Sequence, residues 1–248
     1  MVSPPPGFQR ARRPEQVEAR RCAILDTARA MLRVRRVADI SLRELSDGVG
    51  LAKSNVLRYF DSREAIFLEV MDENWTAWLD EVEAALAAQD PPGPSSARVA
   101  VPDHGPAAGG PFARETWVAT VVAGSLAAQP LLCELASVTA GVLEKNISVD
   151  VARTFKLRAH ERTARLAGLV RARVPHLDAP AAEHFAQAVF VLVAGLWPYA
   201  VPTEAVSAVM AELGLPPARE LFARGLTEGL VNQLVGLSAR ATAAAPTP

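Results

Sequence analysis

A chain of 248 residues, half of them hydrophobic, holds enough apolar material for one large domain or two smaller ones with a sizeable core. Its formal net charge of −1 hides an asymmetry: residues 1–60 carry 12 Lys+Arg against 6 Asp+Glu, a net of +6, and the remainder 14 against 21, a net of −7. A basic head on an acidic body points the N-terminal quarter towards a polyanion, while two widely spaced cysteines, Cys22 and Cys133, read as small buried apolar residues of a reducing compartment and exclude a disulfide framework.

Strand signals are almost absent, because Val and Ile sit in Ala/Leu/Glu/Arg contexts instead of alternating. The expected fold class is all-α, with nine or ten helices. Residues 1–14 are Pro-rich and basic, lack the apolar run of a signal peptide, and read as a mobile arm. Its Arg10, Arg12 and Arg13 either reach a minor groove or nearby phosphates, or form a solvated tail. A first helix is predicted over 16–34, with Ile24, Leu25, Ala28, Met31 and Leu32 in one apolar stripe. A second begins at Ser41, where Ser-Leu-Arg-Glu forms a capping box in which Ser41 and Glu44 satisfy amides at the helix start. A third covers 52–59. Asp61-Ser-Arg-Glu caps a fourth that runs to about residue 88, with Ile66, Phe67, Val70, Met71, Trp75, Trp78 and Leu79 at helical spacing.

The segment 90–111 holds six Pro and four Gly, which suits a disordered or loosely draped loop and no packed helix. Helices resume over 112–127, 130–144, 148–173, 179–200, 203–213 and 217–239, broken at prolines. The chain thus divides into an arm (1–14), a three-helix head (15–62), a connecting helix (63–89), a loop (90–111), a helical body (112–240) and a disordered tail (241–248).

The stretch SLRELSDGVGLAKSNVLRYF, residues 41–60, carries the most specific pattern. Two short helices joined by a tight turn at Gly50 make a helix-turn-helix, in which the second helix lies in the major groove. Leu45, Val49, Leu51 and Val56 are placed to pack on Ile24, Ala28 and Leu32. That leaves Arg43, Lys53, Ser54, Asn55, Arg58 and Tyr59 on the outer side, with Arg63 at the start of the fourth helix. Asn pairs with adenine edges, Arg and Lys with guanine or phosphate, and hydroxyls with phosphate oxygens.

With ILDTARAML before it and SREAIF after it, this stretch resembles the DNA-binding head of the TetR/AcrR repressor family over residues 24–67. The resemblance implies a homodimer with three DNA-binding helices, a linking fourth helix, and a variable helical ligand and dimer domain. Four positions depart from the common pattern. Arg36 stands where many members end a helix with Gly, at a cost of ~1 kcal/mol if the backbone there is left-handed. Ala52 replaces a Ser or Thr cap, losing on the order of 1 kcal/mol. Leu57 occupies the place of a phosphate-contacting Tyr, and Asn55 that of a frequent Thr.

In the body, residues 181–200 are apolar nearly all round and must be buried on two sides. Helix 217–239 sets Leu and Val beside Gly225, Gly229 and Gly236. The resemblance implies that two such late helices form a four-helix dimer interface, here with Phe190, Leu192, Leu226, Leu230 and Leu234. Trp117, Phe155, His160, Trp197 and Tyr199 are candidate pocket walls. His176 and His184 lack partners at metal spacing, and no cofactor or metal is expected. No GxSxG, HExxH, GxGxxG or P-loop appears, so no enzyme is expected. The most apolar run, 189–196, is far short of the ~20 residues needed to cross a bilayer. The expected protein is a cytoplasmic homodimer on a pseudo-palindromic double-stranded DNA operator, a repressor released by a small apolar or amphipathic effector. The alternative is a regulator of the same fold controlled by a protein partner or by no effector.

Overall fold

The computed structural model describes residues 14–88 and 110–244. Arg10, Arg12 and Arg13, nearly all of the 90–111 loop and the last four residues lie outside these. Among the described residues the chain forms α1 (Pro14–Leu32), α2 (Leu42–Val49), α3 (Lys53–Val56), α4 (Arg63–Ala88), α5 (Ala113–Ala127), α6 (Pro130–Val138), α7 (Val149–Arg173), α8 (Ala179–Ala200), α9 (Glu204–Glu212) and α10 (Ala218–Ala244). Short 3-10 turns at Val37–Asp39 in the head and Leu143–Lys145 in the body complete the order, and no strand is present among the described residues.

Most boundaries fall where caps and prolines predict them, and the exceptions have local causes. The expected helix 130–144 stops at Val138. Beyond it the β-branched pair Val138-Thr139, Gly141 and Val142 disfavour a further turn, and the chain tightens into Leu143–Lys145. The capping of α4 falls to Ser62 alone, whose hydroxyl accepts from the Ala65 amide at 3.1 Å. Asp61 is used elsewhere. At the C-terminus α10 continues to Ala244, into the segment expected to be a tail.

The helix α4 belongs to both halves of the molecule. Its N-terminal turns pack on α1 in the head, and the rest packs on α5, α6 and α7 in the body. Ile66, Phe67, Val70, Met71, Trp78, Leu79 and Val82 along it are nearly or fully inaccessible to solvent. Burying side chains of this size is worth roughly 1.5–3 kcal/mol each, so the stripe fixes how α4 is gripped at both ends. The body is built around α8 and α10, which pack on one another and on α5, α6 and α7. In its 22 residues α8 is long and apolar enough to cross a membrane, further than the 189–196 run alone suggests. Here Phe185, Val189, Val193 and Trp197 are instead buried against neighbouring helices.

The cysteines separate. Cys133 is buried, donates to the Leu126 carbonyl, and burial pushes its thiol up to about 12. Cys22, expected to be buried, is exposed on α1 beside Glu18.

Candidate nucleic-acid interface

The turn of the helix-turn-helix is built by two complementary caps. At the start of α2 the Ser41 hydroxyl accepts from the Glu44 amide at 3.2 Å, and the Glu44 carboxylate accepts from the Ser41 amide at 2.8 Å. The Ser41 hydroxyl in turn donates to the Glu44 carboxylate at 2.7 Å, and this bond first, then the one from the Ser41 amide, with Arg35 behind them, lower the Glu44 carboxyl from its ordinary 4.5 to about 2. At the other end Gly50 adopts φ 72°, ψ 30°, the left-handed region that glycine enters without a steric cost. The Gly50 amide donates to the Asp47 carbonyl at 3.1 Å and the Leu51 amide to the Ser46 carbonyl at 3.0 Å, a Schellman pairing. A second glycine, Gly48, faces α1, where a Cβ would lie 2.7 Å from Met31 Cε, the movable end of a flexible side chain, and 3.0 Å from Thr27 Cγ2.

The recognition element is shorter than predicted. Ala52 is extended and offers no side-chain cap, and α3 is a single turn, Lys53–Val56. The backbone then tightens through Tyr59, whose amide donates to the Val56 carbonyl at 2.9 Å. Val56 and Phe60 anchor this segment in the core with Ile24, Ala28, Leu32 and Leu45. Lys53, Ser54 and Arg58 are turned to solvent, with Asn55 half-buried beside them. Arg43, one helix earlier, is 88 % exposed and lies near Asp47. Together they form a polar, cation-bearing surface suited to phosphates and base edges.

Two of the expected contacts sit differently. Arg63 is occupied internally: it donates to the Ile40 carbonyl at 2.7 Å and to Glu64 at 2.8 Å, and lies over the Phe67 ring. Tyr59 is half-buried against the core and faces a cleft beside α4 and α7. Arg36 is extended at φ −74°, so its replacement of glycine strains nothing. Its guanidinium instead spans to the body and donates to the Val201 carbonyl at 2.7 Å.

Further ties hold the head to the body. The Ser148 hydroxyl accepts from the Val151 amide at 3.3 Å, capping α7, and donates to Asp61 of the head at 2.6 Å. A chain of charges also crosses α4. Arg21 of α1 meets Glu69 at 3.5 Å, and Arg158 of α7 meets Glu69 and Asp72 at 3.3 Å each. Arg162 closes on Asp72, with its guanidinium held below its ordinary range by burial.

The residues expected in the body scatter. Trp197 is buried, donating from its indole to Glu134 at 2.9 Å, with Phe222 edge-on at 5.1 Å and the Arg219 guanidinium over its ring. Trp117 is half-buried against the core, and His160 is exposed. Tyr199 is 79 % exposed. Phe155 lines a cleft, but that cleft lies at the head–body joint and takes in none of the other four. His176 has a carboxylate neighbour after all, buried Glu115 at 2.9 Å, but no three potential metal ligands converge among the described residues.

Leu226, Leu230 and Leu234 are each 0 % exposed within the single chain, on the side of α10 packed on α5 and α8. Gly225 and Gly229 of α10 also face α8, but a Cβ there would meet Leu196 at 4.0 Å and Leu192 at 3.4 Å, ordinary contact distances, and Gly236 faces Arg240 of its own helix. Phe190 stacks on Trp75 at 4.8 Å between ring centres. A partner chain would therefore meet the other faces of these helices.

A helix-turn-helix that exposes its recognition turn, carried on an α-helical body through a shared fourth helix, defines a DNA-binding transcriptional regulator. The family model described as "Bacterial regulatory proteins, tetR family" matches residues 24–70, and that described as "Tetracyclin repressor-like, C-terminal domain" matches residues 72–241. The chain belongs to the TetR family.

Among curated relatives, the HTH-type transcriptional regulator EthR of Mycobacterium tuberculosis is 39 % identical over 67 residues, 27 % of this chain and 31 % of the relative. EthR of Mycolicibacterium smegmatis is 36 % identical over 67 residues, 27 % of this chain and 30 % of the relative. The matches thus span under a third of these relatives' length. Among solved structures, a TetR-family regulator from Mesorhizobium loti is 13 % identical with a TM-score of 0.49, covering 89 % of this chain and 98 % of that one. A TetR regulator from Rhodococcus sp. RHA1 is 16 % identical with a TM-score of 0.46, covering 87 % and 97 %.

Proposed function

We propose that the chain is a homodimeric repressor that binds a pseudo-palindromic operator and leaves it when a small molecule occupies the body. The observation that carries the DNA half is the exposed surface of Lys53, Ser54 and Arg58, held out by the Gly50 turn, with side chains committed to no internal hydrogen bond or ion pair among the described residues. Two such heads related by a two-fold axis would read two half-sites.

The homodimer is supported by apolar surface that one chain leaves open. Val191 and Tyr199 on α8 are 67 % and 79 % exposed, and α9 buries none of its residues despite carrying Val206, Val209 and Met210. Effector control is supported by the polar ties between head and body, because a ligand that changes their geometry changes the spacing of the two heads. By linkage, effector and operator then weaken each other's binding by the same factor.

Selection of bound sequences from a random double-stranded library tests the reading. The expected result is an inverted repeat whose affinity falls steeply with salt. Recovery of no preferred sequence, or binding indifferent to salt, would overturn it.

A further inference from the structure

The surface that the recognition turn presents is not wholly polar. Of the large apolar side chains from Leu42 to Phe60, Leu57 alone is exposed, at 40 %; Leu45, Val56 and Phe60 are buried, and the others pack on the core from its edge. The Leu57 backbone is still helical, φ −64°, ψ −6°, and its amide donates to the Lys53 carbonyl at 3.0 Å. That i to i+4 bond sets Leu57 one turn along from Lys53 on the same face, directly before the exposed Arg58.

A single exposed leucine is ordinary on a wet surface. On a surface pressed against a duplex it is not, because contact strips its water and offers in return only what the duplex carries. A phosphate oxygen needs a donor, and leucine has none. The base edges of the major groove present donors, acceptors and one methyl group, the C5-methyl of thymine. A donor or acceptor placed against Leu57 would lose its water without a replacement bond, whereas a methyl placed there leaves water at a gain.

We propose that Leu57 is a specificity-determining residue of this regulator, meeting the C5-methyl of one thymine in each half-site between the contacts made by Lys53 and Arg58. The inference rests on the operator reading above and specifies one base pair of that operator. Leu57 adds no charge to hold the phosphates, so its contribution is to discrimination among sequences, and the salt dependence of binding belongs to its cationic neighbours.

Uracil pairs as thymine does but lacks the methyl, so the test is made on the DNA and needs no altered protein to begin. In an operator selected by the full chain, the thymines of one half-site are replaced by uracil one at a time, and affinity is read by fluorescence anisotropy. At one of these positions the wild type is expected to lose about fourfold, the weight of one buried methyl group. Leu57→Ala is expected to bind thymine and uracil equally at that position, and to melt with the wild type in circular dichroism because the side chain lies outside the core. A half-site in which no replacement weakens wild-type binding, or a loss of the same size in Leu57→Ala, would overturn the assignment while leaving operator recognition intact. Recovery of no preferred sequence in the selection would overturn the operator reading and this inference together.

Discussion

At the scale of single residues, the exposed side chains of α3 differ from their buried neighbours in what their loss should cost. Lys53 and Arg58 support nothing inside the head, so Lys53→Ala and Arg58→Ala should leave the melting temperature unchanged. Each should weaken operator binding, by about 1–3 kcal/mol where a base edge is read and with a salt slope lower by about 1 where a phosphate is met. Fluorescence anisotropy across a salt series distinguishes the two. Arg63→Ala should do the reverse, lowering the melting temperature, because its guanidinium braces the Ile40 carbonyl and Glu64. Ala52→Ser should supply the missing cap of α3 and raise unfolding stability by about 1 kcal/mol, read by urea titration. Position in the motif is enough to single out these side chains in the sequence, but it could not show that Arg63 is engaged. That depends on a carbonyl 23 positions away.

At the scale of elements, the head was legible because its caps are local. Ser41 with Glu44, and Gly50 after Val49, announce the ends of α2 within a few residues, and the structure uses each of them. Gly50→Ala should cost about 1 kcal/mol by forcing a side chain into the left-handed region, measurable in the same titration. The capping box should also be visible in the pH dependence of stability. Since folding lowers the Glu44 carboxyl from 4.5 to about 2, its contribution is complete above 4.5 and disappears as the pH falls through about 2. The stability gap between wild type and Glu44→Gln should therefore be constant near neutrality and close over that acid range. A gap that is unchanged at the acid end would show that the carboxylate is not what stabilises the cap. The length of α3 was less legible, since an uncapped segment can continue as helix or tighten into a turn, and distant packing of Val56 and Phe60 decides which.

At the scale of the whole molecule, sequence periodicity identified the apolar helices but not which neighbour each face meets. The stripe of Leu226, Leu230 and Leu234 has the same pattern whether it faces a second chain or its own α5 and α8, and the structure shows the latter. The dimer reading consequently moves to the open faces. Val191→Glu and Tyr199→Glu should shift the chain towards monomer in sedimentation velocity and weaken operator binding in parallel. Monomer–dimer distributions unchanged by both would remove those faces from any interface. The proposed pocket residues scattered for a related reason: aromatic residues suit a cavity wall and a filled core equally, and Trp197 fills its space with Glu134 and Phe222.

The Ser148 hydroxyl serves two masters at once, closing the first turn of α7 and holding Asp61 of the head. Fraying of that turn and release of the head on that side are then one opening event. The exchange rate of the Val151 amide with deuterated solvent becomes a clock for head motion, and Asp61→Asn, though it lies in another part of the chain, should quicken it.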